Sequence, residues 1–211
     1  MRYALACFLS LLTVVGHAAE PTPPATTLDT LLAAFRAAPG VEAHFTEQKN
    51  IAMLAAPLES DGVIYYQRPG VLARYVMHPR ESFQIIDPKR VRMGDAQHSE
   101  TLDLSAKPQV RVFVESFVTL LSGDQAALAK TYTIAFTPAI EAHPERWRLQ
   151  LTPKLAPLDK VIASITLTGS GIVLSEMRVL EKGGDETITT FTSVNTKRSF
   201  TNDEKAKLFK P

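Results

Sequence analysis

The side chains that could do chemistry in this sequence are few and scattered. After residue 19 the histidines are His44, His78, His98 and His143. They fall in different predicted elements, and no two of them have the i, i+4 spacing of a helical zinc site. Two of them lie in predicted loops, within His98-Ser99-Glu100 and His143-Pro144-Glu145. We therefore expect structural or solvated histidines and no metal site.

Motifs for covalent catalysis are also missing from the sequence. Gly169-Ser170-Gly171 indicates a turn and lacks the G-x-S-x-G pattern of a serine hydrolase, and no glycine-rich phosphate loop precedes a predicted helix. The single cysteine, Cys7, lies in the apolar segment at the N-terminus, so the rest of the sequence offers no thiol nucleophile. A pair of carboxylates for hydrolysis meets only in space, so a secreted β-rich hydrolase stays open as the alternative function. We expect no catalytic residue and no cofactor.

The clearest pattern is an apolar stripe in the middle of the chain. Apolar residues recur at i, i+3, i+4, i+7, i+8 and i+11 through Val110, Phe113, Val114, Phe117, Val118 and Leu121. This spacing predicts an amphipathic helix that ends at Ser122-Gly123, although Val112 and Val114 also fit a strand. We expect Phe113 and Phe117 to face the sheet, either as plain core or as the lid of a pocket for an apolar ligand.

The elements around this stripe are predicted mainly as strands. Behind a candidate cap at Thr27, apolar residues at helical spacing predict a short helix that stops at Pro39-Gly40. From Val41 onward apolar and polar residues alternate in roughly nine or ten runs, joined by turns as in an antiparallel meander. A sheet of that many strands is expected to be strongly curved or closed into a barrel. Asp124 is predicted to cap a second short helix.

Processing and charge narrow the functional class. Residues 1–19 have the positive start, apolar core and small final residues of a cleaved signal peptide, so we expect export. Lys plus Arg number 23 and Asp plus Glu 22, and only Arg2 of these precedes residue 20. The exported chain therefore has no net charge and no basic surface for nucleic acid. We expect a Pro-rich linker over residues 20–27, one domain over 28–200 and a C-terminal tail over 201–211.

Three motifs follow the first predicted helix in an informative order. They are Ala43–Lys49 (AHFTEQK), Gly62–Gly70 (GVIYYQRPG) and Pro79–Phe83 (PRESF). Together with the signal peptide and the central helix, this order resembles that of the LolA-like periplasmic lipoprotein carriers, from about Leu28 to Asn195. The most specific part of the resemblance is the F-T-E-Q of the first motif combined with the R-P-G of the second.

The resemblance implies a fold and a function. The fold is mainly β (α+β), with a strongly curved antiparallel sheet forming an incomplete β-barrel and short helices as a lid over an apolar cavity. The function is that of a monomeric periplasmic carrier, not an enzyme, which takes an acylated lipoprotein or another lipid from an inner-membrane ABC exporter to an outer-membrane acceptor. Arg68 matches the family's lid-latching arginine, and Leu72 matches the apolar residue four positions later, which is aromatic in many members.

The expected ligand-binding residues combine the sheet and the lid. They are Arg68, Leu72, Ile64 and Tyr66 on the sheet and Val110, Phe113, Val114, Phe117 and Leu121 on the lid. Two segments depart from the family's pattern: Val71–Tyr75 replaces an aromatic-rich strand, and Asp87–Met93 replaces a longer hairpin. These departures leave a glycolipid or a polyene lipid open as the cargo instead of a lipoprotein.

Overall fold

The structure, a computed structural model, describes residues 26–106, 111, 118–138, 140 and 146–210. The predicted signal peptide, residues 1–19, lies outside the described residues, as does most of the predicted central helix. Within the described ranges, no helix combines the length and apolar character needed to cross a membrane.

Strands dominate the described part of the chain. They are β1 (Gly40–Asn50), β2 (Leu58–Gln67), β3 (Val71–His78), β4 (Ser82–Ile86), β5 (Arg90–Gly94), β6 (Ser99–Asp103), β7 (Tyr132–Thr137), β8 (Arg146–Pro153), β9 (Ile162–Ser170), β10 (Val173–Glu181) and β11 (Glu186–Asn195). These eleven described strands form one antiparallel sheet in the order β6-β5-β4-β3-β2-β1-β11-β10-β9-β8-β7. Because β6 and β7 stand at its two edges, the sheet is not closed, and the predicted incomplete barrel is confirmed.

Five helical segments accompany the sheet in the described residues. They are α1 (Leu28–Ala37), α2 (residues 118–122), α3 (Gln125–Thr131), α4 (Leu158–Val161) and α5 (Asn202–Phe209), with a 3₁₀ turn at Leu104–Ala106. The predicted caps of α1 and α3 are confirmed. The Thr27 hydroxyl accepts a hydrogen bond from the Thr30 N–H at 3.2 Å, and the Asp124 carboxylate accepts one from the Ala127 N–H at 2.9 Å.

The two faces of the sheet are covered by different helices. The face under α1, which we call the inner face, carries the largest core, where Leu31 and Leu32 pack with Trp147, Leu149 and Leu167. On the outer face, α5 packs against β3 and β4. This arrangement follows from the alternation along each strand, since neighbouring side chains point to opposite faces.

Two elements differ from the prediction. The segment His98-Ser99-Glu100, predicted as a loop, enters β6, which makes eleven described strands instead of nine or ten. This strand has no apolar alternation because it is an exposed edge strand held by its backbone pairing with β5. The segment that we assigned to a C-terminal tail contains α5, whose Phe209 is buried with Phe200 on the outer face.

Candidate functional site

Arg68 lies where β2 ends, and its guanidinium reaches two helices. Its Nε donates a hydrogen bond to the Ala38 carbonyl oxygen at 2.7 Å, and its Nη2 donates one to the Phe35 carbonyl oxygen at 2.6 Å. Both acceptors belong to the C-terminal end of α1, where carbonyl groups have no partner within the helix. A longer contact of 3.4 Å joins Nη2 to the Leu121 carbonyl oxygen of α2. One sheet side chain therefore holds both α1 and α2 through backbone acceptors.

The helices α1 and α2 are also fixed to each other. Arg36 of α1 donates a hydrogen bond from Nη2 to the Gly123 carbonyl oxygen at 2.8 Å. Gly123 ends α2 with a φ of +70°, and a Cβ atom at this position would lie 2.1 Å from the Leu32 carbonyl oxygen. Glycine is thus required both by the left-handed backbone and by the close approach of α1. We call α1 and α2 together the lid.

Two small apolar cavities lie between the lid and the inner face. The first has a volume of about 80 Å³ and lies between Phe35 and Leu120 of the lid and Val41, Tyr66 and Leu174 of the sheet. The second, of about 70 Å³, is bounded by Leu121 of the lid and by β1, β2, β3, β10 and β11. Its lining residues include Ala43, Ile64, Tyr66, Leu72, Leu174 and Phe191.

Tyr66 places a polar atom in this apolar region. The residue is 4% exposed and borders both cavities. Its hydroxyl is buried and has no hydrogen-bond partner among the described residues. Burial raises the pKa of this phenol, against a smaller opposing effect of the nearby Arg68 charge. Tyr66 is therefore a neutral hydroxyl that faces an apolar space.

The structure brings several predicted site residues together. Ile64, Tyr66, Leu72 and Leu121 border one cavity, and Arg68 holds the lid over it. Val110, Phe113, Val114 and Phe117 lie outside the described residues, so their predicted place in the lid stays a prediction. The helical state of residues 118–122 agrees with the end of the predicted central helix.

Sequence reasoning missed part of the site. The backbone acceptors of Arg68 at Phe35 and Ala38 have no side-chain signature, and neither has the contact between Arg36 and Gly123. Val41, Ala43 and Phe45 were predicted on one face of β1, and alternation alone could identify that face. It could not distinguish a cavity wall from filled core.

A separate polar cluster lies on the inner face at β1 and β3. Arg74 donates a hydrogen bond to the Glu47 carboxylate at 2.9 Å, and its guanidinium lies 4.4 Å from the centre of the Phe45 ring. The Thr189 hydroxyl also contacts Glu47, at 3.3 Å. Within the described ranges, no group of three or more His, Cys, Asp or Glu side chains is arranged to hold a metal ion.

A larger groove of about 420 Å³ lies on the outer face beside α5. Tyr65, Tyr75, Phe83 and Leu208 contribute to its lining. The Tyr75 hydroxyl donates a hydrogen bond to the Leu208 carbonyl oxygen at 2.8 Å, which fixes the end of α5 there. The lid does not cover this groove, so we place the candidate site on the inner face.

Comparison with known proteins bears on this site. A family model described as "Outer membrane lipoprotein carrier protein LolA-like" matches residues 19–207. A search of curated protein sequences finds no significant match to this chain.

Solved structures with related architecture are remote in sequence. A LolA superfamily protein from Nitrosomonas europaea is 8% identical, with a TM-score of 0.44 over 85% of this chain and 97% of that one. A DUF1329 family protein from Desulfovibrio piger is 9% identical, with a TM-score of 0.49 over 86% of this chain and 94% of that one. LprF from Mycobacterium bovis is 13% identical, with a TM-score of 0.40 over 84% of this chain and 95% of that one. Similarities this distant carry no argument about function.

Proposed function

Because the chain belongs to the LolA-like family of outer membrane lipoprotein carrier proteins, we propose that it is a periplasmic carrier of acyl chains. In this proposal the acyl chains of a lipoprotein, or of a related lipid, enter between the lid and the inner face of the sheet. The observation that carries the proposal is the pair of short hydrogen bonds from Arg68 to Ala38 and Phe35 at the end of α1. Both of these acceptor residues line the first apolar cavity.

The small volumes of the two cavities support a closed position of the lid. A dry apolar cavity of about 150 Å³ accommodates benzene, and the two cavities under the lid measure about 80 and 70 Å³. Neither holds an acyl chain as it stands. Cargo uptake therefore requires the lid to move away from the sheet, which enlarges the apolar space.

The energetics of uptake need no catalytic group. Each methylene that leaves water for an apolar environment contributes about 0.8 kcal/mol. Against this gain, opening the lid breaks the hydrogen bonds of Arg68, each with a net contribution of about 1 kcal/mol or somewhat more for a charged donor. The Arg68 bonds thereby moderate the affinity, so that a tighter acceptor can remove the cargo.

The family and the predicted signal peptide support a route for the cargo between two membranes. We propose that an inner-membrane ABC exporter loads the carrier and that an outer-membrane acceptor unloads it. The carrier acts as a monomer in this scheme. Its cargo is a lipoprotein or, given the departures at Val71–Tyr75 and Asp87–Met93, a glycolipid or polyene lipid.

Native mass spectrometry of the protein purified from the periplasm tests the proposal. We expect a fraction of the molecules to carry an added mass that organic extraction releases as an acyl lipid. A fluorescent fatty-acyl probe should bind the emptied protein and be displaced by that extract. An unloaded protein that also fails to bind the probe would contradict the proposal.

A further inference from the structure

The connection between β1 and β2 is wholly apolar. It comprises residues 51–57 (IAMLAAP), and we call it, together with Leu58 at the start of β2, the apolar tip. Met53 is 94% exposed, Leu58 54% and Leu54 47%. Soluble proteins rarely leave a run of aliphatic side chains in water unless another surface covers it.

The apolar tip is held in this exposed position. The Leu54 N–H donates a hydrogen bond to the Ile51 carbonyl oxygen at 2.9 Å, which closes a turn. The Ala52 N–H donates one to the Asp185 carboxylate at 2.9 Å, in the hairpin between β10 and β11. Pro57 has no N–H to satisfy. At three positions of the tip the backbone N–H is therefore either hydrogen-bonded or absent. This lowers the free-energy cost of moving the tip from water into an apolar environment.

Further exposed apolar side chains lie toward the same end of the sheet. They belong to neighbouring connections and strand ends and are Met77, Leu155, Val161 and Leu180. The backbone links these connections, since the Lys182 N–H donates a hydrogen bond to the Val161 carbonyl oxygen at 2.7 Å. Arg68 and its contacts with the lid lie at the other end of the β1–β2 pair, away from the apolar tip.

We propose that the apolar tip docks this end of the protein on a lipid bilayer. Residues 51–58 contain no charged, aromatic or hydrogen-bonding side chain. Protein interfaces draw most of their energy from Trp, Tyr and Arg anchors with specific partners. Fluid hydrocarbon, by contrast, accepts Met and Leu side chains without directional contacts. Such a docking surface is independent of whether the protein carries acyl cargo.

The charges near the apolar tip do not favour an anionic surface. Lys49, on the strand before the tip, lies 3.7 Å from Glu181, and Lys160 lies 3.6 Å from Asp159. Charge complementarity therefore points to the uncharged hydrocarbon of the bilayer instead of its phosphate groups. We expect docking to persist between ~0.1 M and ~1 M salt, where screening removes most attraction between exposed charges.

A second copy of the chain fits this surface less well. A stable dimer of standard size uses about 20–30 residues on each side. The apolar tip offers only eight residues, residues 51–58, at one hairpin. Shallow insertion into a bilayer needs no complementary concave partner.

Cosedimentation with vesicles of phosphatidylethanolamine and phosphatidylglycerol tests the docking. The signal-peptide-processed protein should sediment with the vesicles at both salt concentrations. The double variant Met53→Asp/Leu54→Asp should lose about tenfold or more of its partition constant, because two exposed aliphatic side chains become charged. The matched pair is Met53→Asp alone and Val173→Asp, which each add one negative charge, the second on an exposed apolar residue at the Arg68 end of the sheet.

Thermal unfolding and acyl-probe binding establish that the double variant is folded, since the apolar tip lies outside the lid and its cavities. Docking is wrong if the wild-type protein stays in the supernatant, or if Met53→Asp and Val173→Asp sediment equally. It is also wrong if the double substitution changes only self-association in sedimentation velocity. A protein that binds the acyl probe but not the vesicles would refute the docking and leave the carrier proposal standing.

Discussion

Replacing Arg68 with leucine tests the latch directly. Arg68→Leu removes the donors to Ala38 at 2.7 Å and Phe35 at 2.6 Å, together with the weaker 3.4 Å contact to Leu121. The closed lid then loses its bonds to β2, while the α1 and α2 helices stay joined through Arg36 and Gly123. We therefore expect the lid to open as a unit and more readily.

The expected magnitude follows from the two short bonds. If each contributes about 1 kcal/mol, the closed state loses about 2 kcal/mol, and more if the abandoned carbonyls stay out of water. When only the open state binds cargo, the apparent affinity rises in proportion to the open fraction. Since 1.4 kcal/mol corresponds to tenfold, Arg68→Leu should bind an acyl probe about ten- to a hundredfold more tightly. Arg68→Lys should fall between the two because an ammonium group keeps the charge but loses the planar fork.

The assay combines probe titration with the rate of transfer to acceptor vesicles. Arg68→Leu should bind more tightly and release more slowly. Arg74→Leu is the control, since Arg74 also lies on the inner face but donates to Glu47 and Ser60 instead of the lid. Unchanged affinity and unchanged transfer in Arg68→Leu would refute the latch, as would an equal effect of Arg74→Leu.

Three further substitutions test the surroundings of the lid and the outer face. Tyr66→Phe should raise the melting temperature of the empty protein by roughly 2–4 °C. The substitution removes a buried hydroxyl that has no partner among the described residues and that costs the folded state about 1 kcal/mol. A lower melting temperature would show that this hydroxyl is hydrogen-bonded. Gly123→Ala should lower the melting temperature by several degrees. A left-handed backbone costs an alanine about 1–2 kcal/mol, and its Cβ would lie 2.1 Å from the Leu32 carbonyl oxygen. An unchanged melting temperature in calorimetry would contradict this packing. The Thr201 N–H and then Arg198 hold the pKa of Glu204 below its ordinary value of 4.5, so its stabilisation of α5 is complete above that value and is lost as the pH falls through the lowered pKa. Hydrogen-exchange protection factors in α5, which correct for the intrinsic pH dependence of amide exchange, should therefore fall in acid for the wild type, whereas Glu204→Gln should lack this loss of protection.

Sequence patterns could predict the parts of the fold that rest on local rules. The cap at Thr27 and the helical spacing behind it predicted α1, and period-2 alternation predicted all described strands except β6. The sequence of β6, SETLD, has one apolar residue, Leu102, which packs against Val91 and Leu104. A single apolar residue cannot produce an alternating pattern. The α5 helix was missed for a related reason, since its apolar residues are concentrated at its end and its position depends on tertiary contacts such as Tyr75 with Leu208.

The sequence could predict a site residue only where the residue type itself indicated its role. The R-P-G motif indicated Arg68, but its acceptors are backbone carbonyls, and any residue type supplies those. The pairing of β1 with β11 was also beyond local patterns, since it joins residues that lie far apart in the chain, such as Phe45 and Phe191. That pairing decides which apolar residues share a cavity.

The position of the cavities across this pairing explains how the lid can move without disturbing the sheet. The wall of the second cavity combines Ile64 and Leu72 from one half of the sheet with Leu174 and Phe191 from the other. The two halves are joined by the long antiparallel contact of β1 with β11, which is independent of the lid. The lid, in contrast, is joined to the end of β2 by the hydrogen bonds of Arg68. It lies over the two small cavities. Opening therefore breaks the hydrogen bonds of Arg68 and also separates Leu31 and Leu32 of α1 from the core beneath them, whereas the sheet keeps its register. The proposed carrier could then load and unload by moving its cover over a wall that stays paired, and the contacts of Leu31 and Leu32 would favour closing again.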